Sequence, residues 1–247
     1  MKASAEEAPR PILVIDVGGT HVKVRSSRRA EEIKIPSGSS MTAKEMVEAV
    51  RRHTRGWTYR AIAIGYPAPV EDGRPLKDPV NLGPGWVGFD FRRAFHCPVR
   101  LVNDAAMQAL GSYEGGKMLF LGLGTGLGSA MITDGKLEPM ELGHLPYRKG
   151  KTYEDYLGAR GFERLGKKEW RKEVARAVKV LFAALEPDYV VLGGGNVKHL
   201  KRMPKGCRPG SNANAFRGGF ALWGLPGWSP PPRAKTFSGS TARRSRG

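Results

Sequence analysis

Cysteine is nearly missing from this chain. Cys97 and Cys207 are the only two, which excludes a disulfide-stapled scaffold and leaves no thiolate cluster for a structural metal. Long apolar runs are missing as well: none approaches the roughly 18 residues of a membrane span, so no membrane partner is expected. Residues 1–11 have no apolar centre and carry Glu6 and Glu7, unlike a secretory signal. These absences together give a reducing, cytoplasmic address as the expectation. Acids are scarce too, 23 against 41 Lys and Arg, for a formal charge of +18. The segment after Trp223 holds five of the cations (Arg233, Lys235, Arg243, Arg244, Arg246) and no acid, yet the remaining 36 against 23 keep the rest of the chain basic. Such a balance favours polyanionic ligands, whether nucleotide, polyphosphate or nucleic acid, without choosing among them.

What is present is apolar residues at 40%, enough to exclude general disorder, and 33 glycines, several in short runs. A chain of 247 residues suits one large domain or two small lobes. Residues 1–10 read as a loose leader. Residues 11–17 form an apolar strand that Gly18-Gly19-Thr20 turns into a second strand, 21–25. The two glycines let main-chain N–H groups approach an anion, Thr20 adds a hydroxyl, and Asp16 at the inner end is placed to hold magnesium. A plain glycine hairpin accounts for the same residues. A third strand (33–35), an amphipathic helix (42–54) and a further strand (60–65) follow, then the rigid loop Gly65-Tyr66-Pro67-Ala68-Pro69-Val70. Trp86 and Phe89, after another Gly/Pro-rich loop, read as core packing rather than sugar platforms.

The stretch 101–110 is the centre of this reading. An apolar strand ends at Val102, Asn103 is a good N-cap, and 105–110 is a run of helix formers. Asp104 thus sits at the carboxyl end of a strand, where open α/β sheets bind ligands. A carboxylate there can take a proton from a hydroxyl, although a simple helix cap explains Asn103 and Asp104 equally well. From 117 the chain repeats its opening: strand, Gly124-Thr125-Gly126 within a glycine string, and strand. Two such hairpins a hundred residues apart indicate a duplicated fold with one phosphate-holding loop per lobe. The Gly-x-Gly-x-x-Gly string leads to a strand, not a helix, and so is no dinucleotide fingerprint. Glu141-Leu142-Gly143-His144 can grip vicinal hydroxyls, with a structural histidine as the competing reading. No cysteine lies near it, so zinc is not expected. A helix over 169–186, a strand over 189–192, the loop Gly193-Gly194-Gly195-Asn196 suited to a nucleotide, and a closing helix over 212–223 complete the fold. The Pro-, Ser- and Arg-rich tail reads as a disordered, solvated extension.

Six motifs in this order resemble the ROK family of sugar kinases and repressors, within the hexokinase–actin–heat-shock ATPase superfamily: Asp16-Val17-Gly18-Gly19-Thr20, Gly65–Val70, Val102-Asn103-Asp104-Ala105, Leu123-Gly124-Thr125-Gly126-Leu127-Gly128, Glu141-Leu142-Gly143-His144 and Leu192-Gly193-Gly194-Gly195-Asn196. The likeness is nearest to bacterial glucokinases of the polyphosphate type. It implies an α/β, two-lobed, actin-like and hexokinase-like (RNase H-like) ATPase fold with a cleft between the lobes. The small N-terminal lobe is placed at 11–103, the large C-terminal lobe at 104–210, a closing helix at 211–223 and the basic tail at 224–247.

By the same resemblance Asp104 is the general base for the 6-hydroxyl of glucose. Asn103, Glu141, His144 and Glu154 are sugar ligands, and Gly65 opens the wall of that site. Gly18, Gly19, Thr20, Gly124, Thr125 and Gly126 hold the phosphates of ATP or polyphosphate, Gly194 and Gly195 the nucleotide, and Asp16 the Mg2+. Three departures stand out: no cysteine cluster follows Glu141–His144, Ala68 stands where the family commonly has glycine, and the tail has no counterpart. A sugar-sensing repressor without kinase activity is the alternative, disfavoured because the first strand begins near Ile12 with no room before it for a DNA-binding module. A kinase for mannose, fructose or an N-acetylated sugar is the other. Nucleic acid is not an expected partner, and a homodimer is expected by family analogy alone.

Overall fold

The computed structural model describes residues 11–211 and 213–224; the leader and nearly all of the tail lie outside the described residues. Two five-stranded sheets carry the chain. The first is built from β1 (Ile12–Val17), β2 (His21–Ser26), β3 (Glu32–Pro36), β4 (Ala61–Tyr66) and, after the small hairpin of β5 (Val70–Glu71) and β6 (Arg74–Pro75), β7 (Val99–Asn103), in the order β3-β2-β1-β4-β7. The second comprises β8 (Lys117–Leu123), β9 (Leu127–Thr133), β10 (Lys136–Met140) and, after the hairpin of β11 (Pro146–Arg148) and β12 (Lys151–Thr152), β13 (Tyr189–Gly193) and β14 (Cys207–Pro209), in the order β10-β9-β8-β13-β14. Each sheet is an antiparallel three-strand meander extended by two parallel strands. The repeated glycine hairpin in the sequence is the visible trace of this duplication.

Helices α1 (Ala43–His53) and α2 (Phe91–Phe95) cover the outer face of the first sheet, and α4 (Tyr153–Leu157) and α5 (Ala159–Leu185) that of the second. Between the sheets lies α3 (Asp104–Ser112). Its Ala105, Ala106, Ala109 and Leu110 pack on Met118, Phe120, Ala130 and Ile132 of the second sheet. Its Met107 joins Ile12, Val14, Ala61 and Ala63 of the first, together with Phe216 of α6 (Asn214–Ala221). A helix buried on two sides must be thin, which explains its run of alanines.

Several elements depart from expectation. The long helix begins at Ala159 rather than 169 and is broken at Gly166, where φ is +70°; the Lys167-Lys168-Glu169 stretch beyond the break dilutes the apolar period that marks helices. Strands β10 and β14 were not expected. Both lie at sheet edges and contain proline, Pro139 and Pro209, so they lack the buried alternation of central strands. The loop 193–196 leads into a single 3-10 turn, Gly195–His199.

α3 and α6 cross at near backbone contact. A methyl group on Gly111 would overlap the Asn214 carbonyl, and one on Gly218 the Met107 carbonyl, while Asn214 Nδ2 donates to Ser112 Oγ at 2.8 Å. In an exposed helix Gly→Ala stabilises by about 1 kcal/mol. Here the sign reverses: Gly218→Ala should lower stability by roughly 1–3 kcal/mol, read as a fall of several degrees in Tm. A Tm at or above that of the parent protein would contradict this packing.

Candidate active site

The register of the first sheet gathers the motifs at one edge. In the parallel ladder Asp16 pairs with Gly65, Gly65 with Val102, and Tyr66 with Asn103, so the carboxyl ends of β1, β4 and β7 bring Asp16, the proline loop and the Asn103–Asp104 corner side by side. Open α/β sheets bind ligands at this edge. Gly65 has a steric reason to be glycine: a methyl group there would overlap the Met107 side chain and stand 3.6 Å from the Asp104 Cα. Gly128 does the same for the other sheet, since its Cβ would lie 2.7 Å from that of Ala105. The two glycines together let the first turn of α3 sit between the sheets.

Asn103 is a helix cap and more. Its Oδ1 accepts from Ala105 N at 2.9 Å and Ala106 N at 3.3 Å, and its Nδ2 donates to Ala68 O at 3.3 Å, tying the proline loop to the corner. One amide hydrogen is left for a ligand. Asp104 Oδ1 accepts from Ala105 N at 2.7 Å, and its second oxygen is not engaged in this way. Burial, then the charges of Asp16 and Glu141, push the Asp104 carboxyl up to about 7. Asp16 is nearly buried and also raised, chiefly by burial, against the pull of Lys23, whose Nζ stands 3.3 Å from Asp16 Oδ2.

The acid–histidine turn is set by the second sheet. Ser129 on β9 accepts from Leu142 N at 3.0 Å and donates to Met140 O at 2.8 Å, fixing the 3-10 turn Leu142–His144. Glu141 and His144 lie 3.7 Å apart, side chains more than half exposed, facing solvent rather than a core partner. Glu154 is positioned by a reciprocal cap, Thr152 with Asp155, at the start of α4. Its Oε2 accepts from Leu127 N at 3.0 Å, directly behind Gly126, where a methyl group would overlap that carboxylate. Glu154 therefore braces the glycine loop while lying beside Gly143, whose Cβ would be 3.6 Å from its own.

The two hairpin tips match. In the first, Gly18 N donates to His21 O at 3.1 Å and Ser37 Oγ to Gly18 O at 2.6 Å, leaving Thr20 exposed. In the second, Gly124 N turns inward to Gly122 O and Gly126 O, and Ala159 N reaches Thr125 O at 3.1 Å, leaving the Thr125 side chain exposed. Gly194, at φ +85°, packs its α-carbon against the Leu123 backbone, and Asn196 Nδ2 donates to Gly124 O at 3.1 Å. The third glycine motif is thereby joined to the second, with Gly195 exposed beside it. Sequence reasoning passed over Lys23, Ser129 and Asp78, the last of which accepts from the N–H groups of Trp86 and Val87 and shapes the loop above the first sheet. Only Lys23 carried a signal, three residues past the glycine turn and facing Asp16 across the hairpin.

No group of three or more His, Cys, Asp or Glu able to cage a metal occurs among the described residues. A magnesium ion needs no such cage, since it takes one or two carboxylates and completes its shell with water and substrate phosphate. The single, buried, electrostatically strained Asp16 carboxylate fits that demand.

Comparison with known proteins bears on the family and the fold. The family model described as "ROK family" matches residues 12–151. The polyphosphate glucokinase of Mycobacterium leprae (strain TN) is 30% identical over 206 residues, covering 73% of this chain and 62% of its own length; that of Mycobacterium tuberculosis (strain CDC 1551 / Oshkosh) is 27% identical over 203 residues, covering 73% and 76%. This chain thus spans less than two thirds of the M. leprae relative. Among solved structures, the inorganic polyphosphate/ATP-glucomannokinase of Arthrobacter sp. strain KM superposes with a TM-score of 0.74 at 25% identity, over 87% of this chain and 98% of that one. The fold is the two-lobed, hexokinase-like α/β fold of these sugar kinases, and the chain belongs to the ROK family.

Proposed function

We propose that the protein is a hexose kinase that phosphorylates the 6-hydroxyl of glucose, drawing on ATP, inorganic polyphosphate or both, with Asp104 as general base. The observation that carries this reading is the Asp104 carboxylate, set at the carboxyl ends of the parallel strands β1, β4 and β7, with one oxygen uncommitted and a proton affinity raised to about 7. A base works best when its pKa lies near the working pH. Asp104 takes the hydroxyl proton as the sugar oxygen attacks phosphorus. The remaining amide hydrogen of Asn103 and the open Glu141–His144 pair orient the ring hydroxyls, the carboxylates accepting and the imidazole donating or accepting. Glu154 completes the sugar set from behind the loop.

The N–H groups of Gly19, Thr20, Thr125 and Gly126, with the two threonine hydroxyls, cradle the donor phosphates, and Gly194 and Gly195 give a nucleotide close access to backbone. Asp16 would hold a magnesium ion, which when bound would supply charge neutralisation on the transferring phosphoryl group. Phosphoryl transfer asks for little beyond this positioning and neutralisation. Mannose is the second acceptor to consider, given the glucomannokinase relative. Two half-buried thiols, with Cys207 pushed up to about 11 by burial, fit a reducing cytoplasm.

The first assay compares ATP with nucleotide-free polyphosphate as donors for glucose and mannose in the presence of magnesium. Hexose 6-phosphate from either donor is the expected result. Sugar binding without product from any donor would favour a sugar-sensing regulator instead.

Asp104→Asn gives two readouts from one change. Turnover should fall by roughly two to four decades with sugar binding retained; turnover like that of the parent would remove Asp104 from its role. Stability should rise. A carboxyl whose folded pKa is raised stabilises the fold fully below its unfolded value near 4 and loses that contribution as pH climbs through about 7. At pH 8 the variant should therefore melt several degrees higher, with the gain vanishing below pH 4.

A further inference from the structure

The glycine loop at 124–126 does not end at its own tip. Asn196 binds Gly124 O at 3.1 Å, and the 3-10 turn Gly195–His199 leads away from it over about 10 Å. At the far end His199 O accepts from Arg171 Nε of α5 at 2.6 Å. Beyond lies an open pocket of about 470 Å3 lined by Arg171, Lys201 and Arg202 together with the apolar Ala175, Leu200, Met203 and Pro204. Residues 195–206 include Lys198, Lys201, Arg202 and Lys205 and no acid. None of these cations, nor Lys167 or Arg171, forms an ion pair among the described residues. Elsewhere on α5 Lys172 pairs with Glu169 and Arg176 with Glu173, while Arg160, Arg164, Lys168 and Lys179 form no ion pair among the described residues. Burial and then the charges of Lys198, Lys167 and Arg171 hold His199 below its ordinary pKa, which is what a local excess of positive charge does.

We propose that Lys167, Lys198, Arg171, Lys201 and Arg202 form a track for the unreacted length of a linear polyphosphate chain whose end lies at the 124–126 loop. The inference rests on the reading of that loop as the donor-phosphate site. A row of spaced, unpaired cations suits a ligand that is a string of equivalent charges, and it needs no base-reading chemistry. Single-stranded nucleic acid is bound with aromatic stacking platforms, and the aromatic beside this strip, Phe162, is already covered by the His199 ring at 4.5 Å and 21°. The track makes affinity grow with chain length, whereas a short donor reaches only the loop.

The test is the double variant Lys201→Glu/Arg202→Glu in the full chain, assayed with long-chain polyphosphate and with tripolyphosphate at saturating glucose. The KM for the long chain should rise roughly tenfold at low salt and depend less steeply on salt, while KM and kcat with tripolyphosphate stay within about twofold. Should the charge reversal fail to fold, Lys201→Gln/Arg202→Gln should shift the long-chain KM in the same direction by less. An unchanged long-chain KM, or an equal rise for both donors, overturns the track and leaves the kinase reading intact. Tighter competition by an oligonucleotide than by added polyphosphate also overturns it, in favour of nucleic acid. A parent protein that uses ATP but no polyphosphate overturns the track alone, whereas one inactive with every donor overturns the kinase reading beneath it.

Discussion

The packing of α3 between two sheets is the constraint on which the rest depends. A helix in that position has only the narrow, half-buried strip of Asp104, Gln108 and Ser112 toward solvent, so its sheet-facing sides are built largely from Ala105, Ala106 and Ala109, and its neighbours give way at Gly65, Gly128 and Gly218. The close fit fixes the first turn of the helix, and with it Asp104, to the carboxyl edge of the first sheet. Asn103 serves the same end from outside by capping the helix and holding Ala68. The position of Asp104 is therefore set by core packing rather than by a flexible loop, which is the preorganisation that the proposed phosphoryl transfer would require.

The electrostatics of the site run against those of the protein. A chain of net charge +18 gathers Asp16, Asp104 and Glu141 close enough that the charges of the other two raise the proton affinity of Asp104. Burying like charges together is costly, and natural proteins tolerate it mainly at functional sites. The Lys23 ammonium, 3.3 Å from Asp16 Oδ2, relieves part of that cost, and a magnesium ion in the proposed role would relieve more. The surrounding cations act in the opposite sense, and in the proposed reaction they would draw a polyanionic donor toward the glycine loops.

Much of this was legible in the sequence because the chemistry and the turns were carried by local strings. The Gly-Gly-Thr and Gly-Thr-Gly hairpins, the strand-to-helix corner at Asn103 and the amphipathic α1 all announce themselves through residue type and spacing. The sheet edges did not, since β10 and β14 are polar, short and contain proline. The start of α5 was hidden because Gly166 breaks the helix and the charged residues after it interrupt the apolar period. Long-range contacts were the least visible. Nothing local says that Gly65 is small for the sake of Met107, that Ser129 anchors the turn ending at His144, or that Glu154 lies against Leu127 N. Each of these depends on two distant segments meeting.

The central claim is that the fold holds Asp104 as a carboxyl with a proton affinity near neutrality, raised by burial and by Asp16. Carbon-13 NMR titration of the aspartate carboxyls, with Asp104 assigned by its Asn variant, measures this directly in the protein free of ligand and metal. The account predicts a midpoint near 7 that moves down when Asp16 is replaced by Asn. A midpoint near the ordinary aspartate value of about 4, unaffected by Asp16→Asn, would contradict it.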